Sequence, residues 1–140
     1  MKVSLEQVLA PLWPWLEAAA PEEGCAVLLE GPGGFRLQLM RNARTGEAAR
    51  RGFAFLDAEW LACLREAERL GERVAWIIHS HVEGGTELSR EDRDAAALVP
   101  GACWLVVRIR GGRVDGCALH QAPGESSVFG GLGRERLKID

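Results

Sequence analysis

Hydrophobic and polar positions follow three rhythms along the chain. Between Ser4 and about Ala20, Leu5, Val8, Leu9, Leu12, Trp13 and Leu16 recur at helical spacing. Ser4 is the predicted N-cap, and Pro11 and Pro14 predict a kink or an early break. Gly24 to Glu30 reads as a central strand, Gly31-Pro32-Gly33-Gly34 as a turn, and Phe35 to Met40 as a strand with one buried face. Arg41 to Gly52 predicts a loop, and Phe53 to Leu56 a short strand. From Asp57, the expected cap, a helix runs to Gly71 with Trp60, Leu61, Leu64, Ala67 and Leu70 on its apolar side. Val74, Trp76, Ile77 and Ile78 form an apolar run too brief for a helix, which predicts a buried strand.

A further helix is predicted from Ser89 to about Leu98, broken by Pro100-Gly101. Cys103 to Arg110 and Val114 to Leu119 then read as a hairpin turning at Gly111-Gly112. Gln121 to Asp140 offers only Val128-Phe129 and Leu132 as anchors, so a loosely ordered tail or an edge strand is expected. No internal repeat is found. The sum is a single α/β domain over residues 1–140, one mixed β-sheet flanked by helices.

Composition narrows the class. With 47% hydrophobic and 26% charged residues, the 140-residue chain has an ordinary globular balance and enough length for one core. A net charge of −3 advertises no affinity for nucleic acid or anionic lipid. No apolar run approaches the roughly 18 residues of a membrane span, and no signal peptide is read. Cys25, Cys63, Cys103 and Cys117 lie far apart without a Cys-x-x-Cys pair, so they read as buried thiols of a reduced, cytoplasmic protein. The arginines of the Arg41–Arg51 stretch read either as a partner-binding edge or as a solvated loop.

The candidate chemistry lies at the end of the buried strand that starts at Val74. His79 and His81 are two apart, so strand geometry points both imidazoles to one face. Seven residues later, Ser89 begins a helix with Asp92 in its first turn. Two imidazole nitrogens and one carboxylate can therefore converge, with a fourth position open, as in catalytic zinc sites. Each residue also has an ordinary explanation: a strand-end histidine, a helix cap, a first-turn acid favoured by the helix dipole. The cap and ligand readings are compatible, because capping fixes the turn that aims Asp92.

The pattern His79-Ser80-His81, seven residues, Ser89-Arg90-Glu91-Asp92 resembles the motif of the JAMM/MPN metalloprotease family, whose fold is similar to that of the cytidine deaminases. The family's upstream Pro-x-Glu-x-Cys-Gly is similar to Pro21-Glu22-Glu23-Gly24-Cys25-Ala26, which implies Glu23 in the glutamate role, Glu22 being its neighbouring rival. Val82 stands where the family commonly has proline, and Ala26 where it has glycine. The resemblance spans roughly residues 21–120. It implies Zn2+ held by His79, His81 and Asp92, with Glu23 as general base and Ser89 donating to the oxyanion. It implies as partner a ubiquitin-like or sulfur-carrier protein, cut after its C-terminal glycine as peptidase or isopeptidase, with no nucleic acid and no membrane.

An oligomer is compatible with this reading. His120 is expected to be structural or superficial, and Glu83 and Glu87 solvated in the turn. The alternatives are a non-catalytic MPN-type binding module and a zinc hydrolase of a small amide. A zinc deaminase needs His-x-Glu and Pro-Cys-x-x-Cys, which the chain lacks. Gly130-Gly131 in the tail raises self-recognition, against the commoner reading of glycine in a loose terminus.

Overall fold

A computed structural model describes residues 3–121, so the expectation for the tail lies outside the described residues. Five strands, β1 (Cys25–Gly31), β2 (Gly34–Met40), β3 (Arg73–Val82), β4 (Cys103–Arg110) and β5 (Arg113–His120), form one sheet in the order β2-β1-β3-β4-β5. Only β3 and β4 run parallel. β3 lies at the centre, covered on both faces, which is why its apolar run is continuous rather than alternating. The β4–β5 turn places Gly111 and Gly112 at φ 60° and 78°, the pair of left-handed positions of a type I′ hairpin.

On one face lie α1 (Leu5–Leu9) and α2 (Leu12–Ala19). The break predicted near Pro11 falls between them, where Pro11 is the N-cap of α2. Pro14 sits in the first turn of α2, where its missing N–H would have had no intrahelical acceptor, so the helix tolerates it. Leu9, Leu12 and Leu16 pack on Leu28, Trp76, Ile78, Leu105 and Val107 to make an aliphatic core.

The opposite face carries α3 (Gly46–Arg51), α4 (Asp57–Leu70) and α5 (Arg90–Ala96). Four expectations are corrected here. The Arg41–Gly52 loop contains α3, and residues 53–56 add only an isolated bridge, Asn42 to Phe55. Asp57 is the first helical residue of α4 rather than its cap, and Leu56 precedes it without a side-chain cap. The buried line of α4 runs through Cys63 and Ala67, while Leu61, Leu64 and Leu70 stay exposed. Small side chains at i and i+4 let the helix axis sit close to the sheet, and the larger leucines splay to the flanks. No helix among the described residues is long and apolar enough to cross a membrane.

Candidate metal centre

Residues 77, 79 and 81 of β3 face the α3–α5 side, while Trp76, Ile78 and Ser80 face α1 and α2. His79 is fully buried; its ring stacks on Phe53 at 4.7 Å and meets Trp104 edge-on at 5.6 Å. His81 is partly exposed. Its Nδ1 donates to the carbonyl of Gly85 at 3.0 Å, which leaves the Nε2 lone pair turned inward. Asp92 reaches the same point from the first turn of α5. Ser89 and Asp92 form a reciprocal capping box: Asp92 N–H donates to Ser89 Oγ, and Ser89 N–H donates to Asp92 Oδ2, each at 3.0 Å.

The three inward atoms make a tight triangle. His79 Nε2 lies 3.0 Å from His81 Nε2 and 3.0 Å from Asp92 Oδ2, and His81 Nε2 lies 3.2 Å from Asp92 Oδ2. Tetrahedral ligands at roughly 2.0–2.1 Å from zinc are about 3.3 Å apart, so the spacing fits one face of such a tetrahedron. Glu23, His79 and His81 also offer donor atoms within 4.8 Å of one another. These residues could hold a metal ion. The Asp92 triangle is the tighter of the two donor sets, and Glu23 stands behind it.

Glu23 is buried, and its Oε1 has no hydrogen-bond partner among the described residues. Its backbone is pinned on both sides. The N–H donates to the carbonyl of Ala49 in α3 at 2.7 Å, and the carbonyl accepts from Asn42 Nδ2 at 3.0 Å. The next residue is clamped to the histidine strand, because Gly24 N–H donates to Ser80 Oγ at 2.8 Å and Ser80 N–H to the Gly24 carbonyl at 3.0 Å. A Cβ at Gly24 would meet Leu16 Cδ2 at 2.9 Å, so glycine is needed for α2 to approach. Glu22 is only half-buried and lines the cavity beside Glu23.

Burial pushes the Glu23 carboxyl up to about 7, with Asp92 adding to the rise and His81 and Arg44 opposing it. Burial likewise lowers His79, against the pull of Asp92. At His81 and Asp92 burial acts first but is outweighed. When His81 is protonated its Nε2–H faces Asp92. That hydrogen bond and the one to Gly85 raise His81, and hydrogen bonding from His79, from protonated His81 and from Ser89 holds Asp92 well below the usual carboxylate range. A deprotonated carboxylate beside imidazoles is the state in which this donor set takes a cation.

The other predicted residues divide. Ser89 is exposed at the rim as the cap of α5. Glu83 turns away, accepting from Gly111 N–H at 2.7 Å, and Glu87 is exposed. His120 Nε2 donates to the carbonyl of Thr86 at 2.7 Å and so braces the loop between His81 and Ser89. Sequence reasoning did not assign that role, nor those of Ser80 and Asn42. A buried hydroxyl between two histidines was the available signal for Ser80; Asn42 gave none. The arginines of the 41–51 stretch are engaged internally: Arg41 with Glu59, Arg44 with Glu91, and Arg50 and Arg51 with Glu47.

Two cavities flank the centre. One, of about 360 Å³, includes Glu23, Arg41 and Arg44 in its wall. The other, of about 370 Å³, includes Asp92 and Glu91 in a largely apolar wall. The Arg44–Glu91 ion pair joins the two walls and packs against Gly52, where a Cβ would collide with the guanidinium.

The description "prokaryotic homologs of the JAB domain" belongs to a family model that matches residues 5–118. None of the curated proteins compared with the chain matches it. Its fold is similar to the solution structure of a protein from Desulfitobacterium hafniense, at 18% identity and a TM-score of 0.60, over 74% of this chain and 71% of that one. It is also similar to a protein from Salinibacter ruber, at 23% identity and a TM-score of 0.54, over 91% and 95% of the two chains. At these identities the likeness speaks for the fold alone.

Proposed function

This chain belongs to the family of prokaryotic homologs of the JAB domain, and on that premise we propose that it is a zinc-dependent peptidase or isopeptidase. Its substrate is a ubiquitin-like or sulfur-carrier protein, hydrolysed after the C-terminal glycine. The observation that carries the reading is the 3.0–3.2 Å triangle of His79, His81 and Asp92 with the buried Glu23 carboxyl behind it, whose Oε1 has no hydrogen-bond partner among the described residues. His79, His81 and Asp92 would hold the ion, whose contribution is Lewis acidity and an acidified water.

Glu23 takes the proton of the attacking water and returns it to the leaving amine. A carboxyl poised near pH 7 suits both transfers. Ser89 donates its hydroxyl hydrogen to the carbonyl oxygen as negative charge gathers there. The two open-mouthed cavities on either side of the centre favour an extended chain over a small amide. The cytoplasm, where carrier proteins of this kind are used, is the proposed compartment.

Elemental analysis of the purified protein tests the first half. About one zinc per chain is expected, falling close to zero in Asp92→Ala. A carrier protein extended beyond its Gly-Gly is then expected to be trimmed by the zinc-loaded chain and left intact by Glu23→Ala. Failure to take up zinc after metal-free handling and re-addition would end the hydrolase reading and leave a non-catalytic MPN-type binding module.

A further inference from the structure

The loop that leads from His81 to Ser89 is held from outside, by the β4–β5 hairpin. Glu83, just past the end of β3, has φ 59°, in the left-handed region that residues other than glycine rarely adopt. Two hydrogen bonds fix it there. Its N–H donates to the carbonyl of Ile109 in β4 at 2.7 Å, and its carboxylate accepts from the N–H of Gly111, in the hairpin turn, at 2.7 Å. His120, at the far end of β5, donates from Nε2 to the Thr86 carbonyl at 2.7 Å. The two anchors lie at opposite ends of β5, so the loop doubles back along the sheet.

Between the anchors the loop lies over His81. The Gly85 carbonyl accepts from His81 Nδ1 at 3.0 Å, and a Cβ at Gly84 would stand 3.8 Å from the His81 Cβ. Glycine at position 83 would make the same left-handed turn without strain. What glutamate adds is the carboxylate on Gly111. That bond is exposed, whereas the one from His120 is half-buried, so His120 is the stronger anchor. Neither residue belongs to the donor triangle, and the chemistry above uses neither.

We propose that His120 and Glu83 are positioning residues of the metal centre. By fixing residues 83–86 they hold the Gly85 carbonyl on His81 Nδ1, and so keep His81 Nε2 turned towards His79 and Asp92. His81 sits partly exposed at a strand end. Released from the carbonyl, its ring turns about its side-chain bonds and presents either nitrogen. A donor set that must first order one of its ligands binds an ion more weakly. This role rests on the metal-holding half of the proposed function and not on its peptidase half.

Chelator competition on the full chain measures the zinc affinity of each variant. His120→Ala is expected to weaken zinc binding about tenfold, and His120→Gln, whose amide can donate from the place of Nε2, to recover most of that loss. Glu83→Ala and Glu83→Gly are each expected to weaken it about threefold, while Glu83→Gln, still an acceptor for Gly111, matches the wild type. Glycine separates the two roles of position 83, since it relieves the left-handed backbone and removes the carboxylate. With cobalt in place of zinc, the visible absorption bands follow ligand geometry. They are expected to change in His120→Ala and to stay as in the wild type in Ile78→Ala, a core substitution on the α1–α2 face. Wild-type zinc affinity in His120→Ala, no recovery in His120→Gln, Glu83→Gly as tight as the wild type, or an equal cobalt change in Ile78→Ala would overturn the positioning role and leave the metal centre standing. A wild type that takes up no zinc would remove both.

Discussion

The two faces of the central strand carry opposite kinds of order. Toward α1 and α2, Trp76 and Ile78 meet leucines and valines, and the one polar side chain, Ser80, is satisfied by Gly24. Toward α3–α5, the same strand presents His79 beside Glu23 and Asp92, the three buried acidic or imidazole side chains of the described residues. Buried orphan atoms at Glu23 Oε1, His79 Nδ1 and Trp104 Nε1 gather on that side as well. Residues of one strand, one position apart, thus serve either a closed core or an unfinished one. Unpaired buried polar groups cost stability, and a fold retains them where they act.

Substitutions can separate the two faces. Ile78→Ala on the closed face is expected to cost about 3–4 kcal/mol, because the cavity lies where β3 is packed on both sides. Urea denaturation should report that loss, while zinc stoichiometry stays at the wild-type value. Loss of the metal in Ile78→Ala would mean the faces are not separable.

Glu23→Gln sharpens the contrast through pH. A carboxyl raised in the fold from 4.5 to about 7 stabilises most below pH 4.5, and that stabilisation is lost as pH rises through about 7. The metal-free wild type is therefore expected to lose on the order of 3 kcal/mol across that window relative to Glu23→Gln. Denaturant midpoints measured from pH 4.5 to 8 would check this; parallel curves for the two proteins would contradict the burial of a neutral carboxyl.

The smallest effect compares two capping boxes. Ser4 and Gln7 cap α1 as Ser89 and Asp92 cap α5. Replacing either serine by alanine should cost about 1 kcal/mol. Only Ser89→Ala is expected to weaken zinc retention in a chelator titration, because only its partner carboxylate belongs to the donor triangle. Equal zinc retention in both variants would detach the cap from the metal.

Much of this was legible before the fold was seen, for local reasons. The continuous apolar run of β3, the His-x-His spacing, the Ser-x-x-Asp helix start and the Gly111-Gly112 turn are each written within a few residues. The closed side of α4 was not, since Cys63 and Ala67 outrank Leu61 and Leu64 only because of how near the sheet lies. The anchoring of Glu23 by Ala49 and Asn42, and of Thr86 by His120, depends on partners distant in sequence. Helix α3 hides in an arginine-rich stretch whose composition reads equally well as loop.

The clamp between Gly24 and Ser80 differs from the donor triangle in how much chain it must close. His79 and Asp92 are 13 residues apart, whereas Gly24 and Ser80 are 56 apart. Closing the longer separation costs roughly 1 kcal/mol more in chain entropy. The His79–Asp92 contact therefore asks less chain entropy than the clamp that holds Glu23 behind it. The His79–His81–Asp92 half of the centre is thus written by one strand, one loop and one helical turn, whereas the placing of Glu23 depends on the sheet as a whole.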